Sequence, residues 1–218
     1  DCPQRPMAFG GKFCYLMFHI LRQDFVHVYV IVLKIIIFDI DLHFFAEQLK
    51  KRLRGLSIVE AALETNLWCC EQMTYHASDG RTEGPLTAYL AGIGRCGEES
   101  AFGVNVYRAI GIPARQIYTP RWAHCDDNHA WVEVYCDGAW HFLGACEPEE
   151  VLNKGWFTNA ASRAMLIHSR CFGEISGEEI ISKVGMASFL NNLKLYAVTK
   201  YLKVCVKDEA GKPVQGAQ

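Results

Sequence analysis

Cys96 lies in the stretch GRCGEES, where a glycine-bearing loop gives way to the spaced apolar residues of a helix. A cysteine at a helix N-terminus sits beside unpaired backbone N–H groups and the positive end of the helix dipole, and both favour thiolate over thiol. The same N–H groups can hold the oxygen that turns negative when sulfur attacks a carbonyl. Such a residue is placed as a nucleophile. Glu98 and Glu99 act against this, because nearby negative charge raises a thiol pKa, so a stronger partner such as an imidazolium must complete the activation. His129, opening the strand-like DDNHAWVEV, is the candidate base, and Glu147 in GACEPE is the candidate carboxylate to orient it. Cysteine, histidine and acid in that chain order follow the nucleophile, base and orienter logic of a catalytic triad. A lone strand histidine also serves as an ordinary core or rim residue. Asp126 or Asp127 could orient it in place of Glu147, or no acid does so.

Around these three stand weaker candidates. Trp122 and His124, in PRWAH, either line a substrate cleft or anchor the loop before the histidine. Arg81 could meet a substrate carboxylate, although a solvated loop arginine is the plainer reading. His124, Cys125, His129, Cys136 and Cys146 are zinc-ligand types without finger or ribbon spacing. Strand alternation accounts for the cysteines, so no metal and no cofactor is read. Trp68, Trp131 and Trp140 read as core, and Trp156, Arg163 and His168 carry no assignment.

The elements that must position these groups are legible. Apolar residues at 45, 49 and 53 predict a helix stopped at Gly55. Ser57 and Glu60 form a capping-box pair opening a second helix through Tyr75. HASDGRTEGP, 76–85, is a polar loop, followed by a short helix at 86–91. The Cys96 helix places Phe102, Val106, Ala109 and Ile110 on one face. It ends where Gly111 suits a left-handed cap and Pro113 forbids continuation. ARQIYTP, HAWVEVYCD and AWHFLGAC read as strands, the last two joined by an Asp137-Gly138 hairpin turn. Helices followed by an antiparallel meander give an α+β domain.

With 218 residues, half of them apolar, the chain can bury a full domain core. A net charge of -2 and the lack of a basic stripe beyond KKRLR, 50–54, exclude a nucleic-acid-coating protein, and KKRLR reads as a solvated helix face. Ten cysteines without a C-x-x-C pair read mostly as small buried hydrophobes. The apolar segment 12–38 is broken by Arg22, Asp24 and Lys34, which leaves no evident membrane span; it reads as strand, or else as buried helix. No signal peptide is readable.

GRCGEES…YRAIGIPAR followed by NHAWVEVYCDGAWHFLG resembles the transglutaminase-like superfamily, which shares a papain-like cysteine-protease core. The likeness covers roughly residues 57–170. It implies Cys96 as nucleophile, His129 as general base, a protein or peptide substrate, and an extracytoplasmic or cell-surface setting. In that family the triad acid is commonly an aspartate about four residues after the strand tryptophan. Counted from Trp140 that place holds Gly144, and the nearest acid followed by proline is Glu147. A bulge at Gly144–Ala145 would bring Glu147 to the right face. The C-terminal VKDEAGKPVQGA is similar to the first strand of carboxypeptidase-regulatory-like or bacterial Ig-like modules. The expected organisation is an unassigned segment 1–41, a transglutaminase-like domain 42–180, a connector 181–195 and the start of a β-sandwich module at 196–218. Two readings of function remain open. One is cysteine-dependent acyl transfer or hydrolysis at amide bonds, hydrolysis favoured; the other is a non-catalytic module that keeps the fold.

Overall fold

The computed structural model describes residues 42–77, 83–173, 175 and 177–214. The apolar segment 1–41 and Arg81 therefore lie outside the described residues. Residues 42–49 form helix α1, which buries Phe45 and Leu49 completely, and the turns after it end at Gly55. Within KKRLR, Arg52 is ion-paired with Glu64 and Glu71 of the next helix, so this run ties two helices together rather than only facing solvent. That helix, α2, spans Ile58–Gln72. Both halves of its capping box form: Ser57 Oγ accepts the Glu60 N–H at 3.3 Å, and the Glu60 carboxylate accepts the Ser57 N–H at 2.8 Å.

A two-residue parallel bridge of β1 (Thr74–Tyr75) with β2 (Ile93–Gly94) brackets the short helix α3 (Pro85–Ala91). Helix α4 (Cys96–Ala109) follows at once, with Cys96 as its first residue. Gly111 takes the expected left-handed conformation at φ 85°. Phe102 and Val106 of α4 meet Phe45 and Trp68, while Val104 and Tyr107 meet the sheet.

The sheet has six antiparallel strands in the order β5-β4-β3-β6-β8-β7, with ranges β3 Ala114–Thr119, β4 His129–Cys136, β5 Ala139–Leu143, β6 His168–Phe172, β7 Ile180–Val184 and β8 Ala187–Asn191. Asp137 and Gly138 both have positive φ, 50° and 85°, as a two-residue hairpin turn of the primed kind requires. Alternation separates the two faces. Ala114, Val132 and Val134 lie under α4, whereas Ile117 and Trp131 pack with Phe157 and Ile167 on the opposite face. A four-residue helix α5, Thr158–Ala161, covers that second face.

Residues 181–195, read from sequence as a connector, supply most of β7, all of β8 and a 3-10 turn, and so belong to the same sheet. Strand β7 offers no alternation to read, because every one of its residues is exposed. Beyond Tyr196 the described residues hold one turn, closed by Asp208 Oδ1 on the amides of Ala210 and Lys212, and an isolated bridge between Lys207 and Pro213.

Candidate active site

A cleft of about 1060 Å³ opens where the first residue of α4 meets the first residue of β4, and Cys96, His129, Glu147 and Trp122 all line it. The backbone of Ala130 adjoins the Cys96 thiol and, with that of Gly97, favours the thiolate. Burial outweighs both and pushes the thiol above its ordinary value, with Glu99 and Glu98 adding to the rise. Burial likewise drives the His129 imidazole down to about 4, against a smaller upward pull from Asp127. The resting pair is therefore a neutral thiol and a neutral imidazole, and no hydrogen bond joins them. The thiolate expected from helix position alone does not form, because a dipole at the helix end gives less than desolvation takes away.

The two glutamates after Cys96 have separate fates. Glu98 accepts from the Arg95 N–H at 2.9 Å and from its guanidinium at 2.9 and 3.1 Å. Burial would raise its carboxyl, but Arg95 outweighs that and holds it below the usual range. Glu99 is 5% exposed and has no hydrogen-bond partner among the described residues. Burial, then the charges of Glu147 and Glu98, push it up to about 8. It enters the cleft as a neutral acid near pH 7.

Glu147 reaches the site by a turn rather than a bulge. Its N–H donates to the Gly144 carbonyl at 3.3 Å, and Cys146 between them takes a left-handed φ of 56°. Asn66 of α2 clamps this turn from below. Its Nδ2 donates to the carbonyls of Gly144 and Glu147 at 2.9 and 3.0 Å, and its Oδ1 accepts from the Cys146 N–H at 3.1 Å. A Cβ added at Gly144 would collide with Glu147 Oε2. The glutamate thus folds back into the space that a side chain at position 144 would enter, which accounts for glycine there. Glu147 Oε1 accepts from Trp156 Nε1 at 2.9 Å, while Oε2 is buried without a partner. Burial raises its carboxyl, partly offset by that hydrogen bond.

The His129 ring lies 4.8 Å from Trp156, 5.1 Å from Phe157 and 5.7 Å from Trp131, centroid to centroid. Its Nε2 is buried and, like Glu147 Oε2, has no partner. Trp122 is 4% exposed and stacks on Trp131 at 6.2 Å with the planes 5° apart, forming a wall beside His129. His124 stacks on the outer side of Trp122 and does not line the cleft. The alternative acids are differently engaged. Asp126 is exposed and pairs with Arg121 at 3.1 Å. Asp127 lines the cleft, but its carboxylate accepts the Asn128 N–H at 2.7 Å. Among the described residues no group of three His, Cys, Asp or Glu side chains is placed to hold a metal.

The model of the transglutaminase-like superfamily matches residues 45–145. Those residues form a transglutaminase-like domain. No curated protein matches the chain. Among solved structures, a candidate cysteine protease from Cytophaga hutchinsonii is 18% identical with a TM-score of 0.39, over 67% of this chain and 58% of its own. A TGase structure is 18% identical with a TM-score of 0.38, over 51% of this chain and 32% of its own. The chain thus spans less than two thirds of either protein. Two residues beside the transglutaminase-like candidate site escaped the sequence reading. Asn66 looked like one more polar residue on a helix, and Trp156 follows His129 by 27 positions with no periodic link to it. Nothing short of the fold brings them together.

Proposed function

We propose that this domain is a cysteine-dependent enzyme acting on amide bonds of proteins or peptides, with hydrolysis favoured over cross-linking. Cys96 is the nucleophile, His129 the general base and Glu147 the carboxylate that orients and stabilises the imidazolium. The observation that carries the reading is the pair of buried, unpartnered atoms His129 Nε2 and Glu147 Oε2, both beside Trp156 in the cleft of Cys96. Buried polar atoms are rarely left unpaired without a role. In this reading the Glu147 carboxylate stabilises the imidazolium that forms when the proton arrives on His129.

The chemistry starts from the neutral pair. As the Cys96 sulfur bonds to the substrate carbonyl carbon, its proton passes to His129. The developing oxyanion is held by first-turn amides of α4, which have no intrahelical partner. His129 then returns the proton to the leaving amine as the C–N bond breaks, leaving a thioester on Cys96. Water resolves it in a hydrolase and an amine in a cross-linking enzyme. Water needs no binding site, so hydrolysis is the expected outcome.

The test is a fluorogenic-peptide and amine-incorporation assay on wild type, Cys96→Ala, His129→Asn and Glu147→Gln. Turnover should vanish in Cys96→Ala and fall at least about a hundredfold in His129→Asn. It should fall at least about tenfold in Glu147→Gln, equivalent to about 1.4 kcal/mol of lost imidazolium stabilisation. Full turnover in Cys96→Ala would overturn the proposal. The competing reading is a non-catalytic module, favoured by one observation: no hydrogen bond joins the Cys96 thiol to the buried, unpartnered His129 Nε2. It predicts neither turnover nor a mass-detectable acyl adduct on Cys96.

A further inference from the structure

The cleft does not stop at Cys96. Ala101, Asn105 and Arg108 stand at successive one-turn spacings on α4 and continue its wall. The opposite wall is the part of the sheet that α4 leaves uncovered. Tyr118 is paired with His168 and lies on the α4 side of β3, so His168, Arg170 and Phe172 of β6 share that face by alternation. Two buried polar groups in this groove have no partner: Asn105 Oδ1, on a residue 9% exposed, and His168 Nδ1, on a residue 8% exposed. The His168 ring is wedged between Tyr118 at 5.6 Å and Phe189 at 5.4 Å, which fixes its direction.

The acids Glu98, Glu99, Asp127 and Glu147 and four arginines line the cleft, with Arg95 beside Cys96 and Arg108 farther along α4. Of the four arginines lining the cleft, Arg95 is paired with Glu98 and Arg115 with Glu133. Arg108 and Arg170 have no ion pair among the described residues. Arg108 donates Nε to the Ala114 carbonyl at 3.0 Å, and Arg170 lies over the Phe189 ring at 5.3 Å. Burial lowers the Arg108 guanidinium.

We propose that this groove is a subsite for an acidic peptide segment, its carboxylate held by Arg108 and Arg170 and its backbone hydrogen-bonded by Asn105 and His168. The inference rests on the proposed reading of Cys96 as the nucleophile, because it takes the groove to be the track of the substrate. From Gly97 to Arg108 the helix rises about 17 Å, the reach of about five extended residues. The acidic residue is therefore four or five positions from the bond attacked. A free C-terminal carboxylate and a Glu or Asp side chain offer the same chemistry.

The experiment separates binding from catalysis. Fluorescein-labelled, alanine-rich octapeptides carry Gln at position two and Glu, Gln or Lys scanned through the remaining positions, with amidated and free C-termini. Their affinities for Cys96→Ala are measured by anisotropy. Peptides with Glu four or five residues from the Gln should bind at least about tenfold tighter than their Gln counterparts, as loss of one charge-assisted contact implies. The preference should vanish in Arg108→Gln/Arg170→Gln and persist in Arg108→Lys/Arg170→Lys, with unchanged circular dichroism reporting intact folding in each. Asn105→Leu should weaken acidic and neutral peptides alike. If free C-terminal peptides outbind amidated ones whichever residue is scanned, the ligand is a chain terminus; if amidated Glu peptides outbind amidated Gln peptides, the ligand is a side chain. Equal affinity for Glu and Gln peptides together with equal affinity for free and amidated ones, or a preference that survives the double Gln variant, overturns the subsite. The same peptides are then offered to wild-type protein. Charge-selective binding without acyl adduct or cleavage removes the catalytic reading and leaves the subsite. Cleavage blind to charge does the reverse.

Discussion

At His129 and Glu99, burial has moved two titrations in opposite directions, and each move can be measured. With its imidazole down to about 4, His129 is already a free base at every pH above that value. The acid limb of kcat/KM should therefore fall near pH 4; a limb near 6.5 would mean an exposed or ion-paired imidazole. Glu99 titrates near 8 when folded and near 4.5 when unfolded. Its folded pKa is raised, so its contribution to stability is fully present below about 4.5 and is lost as pH rises through about 8. Replacing it as Glu99→Gln should leave stability near pH 5 little changed relative to wild type and raise it at pH 8. Thermal or urea unfolding of both proteins at the two pH values checks the sign. Gly144 makes a steric prediction at the same scale. In Gly144→Ala the new methyl displaces the Glu147 carboxylate, costing about 1–3 kcal/mol by overpacking and lowering activity with it. Denaturant unfolding alongside the fluorogenic assay reads both effects.

Between elements, the decisive contact is the one from α2 to the turn after β5. No residue of helix α2 lines the cleft, yet Asn66 holds three backbone groups of the segment that carries Glu147. Asn66→Ala leaves those buried groups unpaired, at a cost of about 3 kcal/mol. It should also lower kcat more than it raises KM, because it frees the orienting carboxylate rather than a binding surface. Asn66→Asp keeps the acceptor for the Cys146 N–H but sets a carboxylate against two carbonyls, so it should rescue neither stability nor rate. A fall in stability with unchanged kcat would make Asn66 a purely structural residue.

For the whole molecule, the match to the transglutaminase-like superfamily ends at residue 145, but the structure that supports the site does not. Fully buried Glu133 accepts from Arg115 at 2.6 Å, from Tyr196 at 2.6 Å and from Asn192 at 3.3 Å, and Tyr196 in turn accepts from Trp131 Nε1 at 2.8 Å. One buried carboxylate thus ties β3 and β4 to the 3-10 turn after β8. Phe157 and Ile167 complete the core behind His129. A chain ending after Glu147 should therefore lose cooperative unfolding, whereas one ending after Ala197 should keep its melting temperature within a few degrees, since Val198 to Val206 are exposed. Arg115→Ala should destabilise by about 3–5 kcal/mol, because it leaves the Glu133 charge buried without its cation.

Local rules were enough for much of this. The capping box at Ser57, the stop at Gly111-Ile112-Pro113, the Asp137-Gly138 turn and alternation through β3 to β5 each depend on neighbours a few residues apart. They determined the α+β class and set Cys96 and His129 at the ends of their elements. What they could not carry was anything fixed by desolvation or by contacts across the chain. Helix position argued for a thiolate at Cys96, and only its burial in the cleft reversed that. The turn that delivers Glu147 depends on Asn66, about 80 positions earlier. His168 and Arg170 gain meaning only because Tyr118 pairs with His168 and brings their face opposite Arg108. The strand β7 offered no periodic apolar face, so its place in the sheet came from pairing with β8 alone. Sequence determined which residues could do chemistry; tertiary structure decided their charge, their partners and the groove they share.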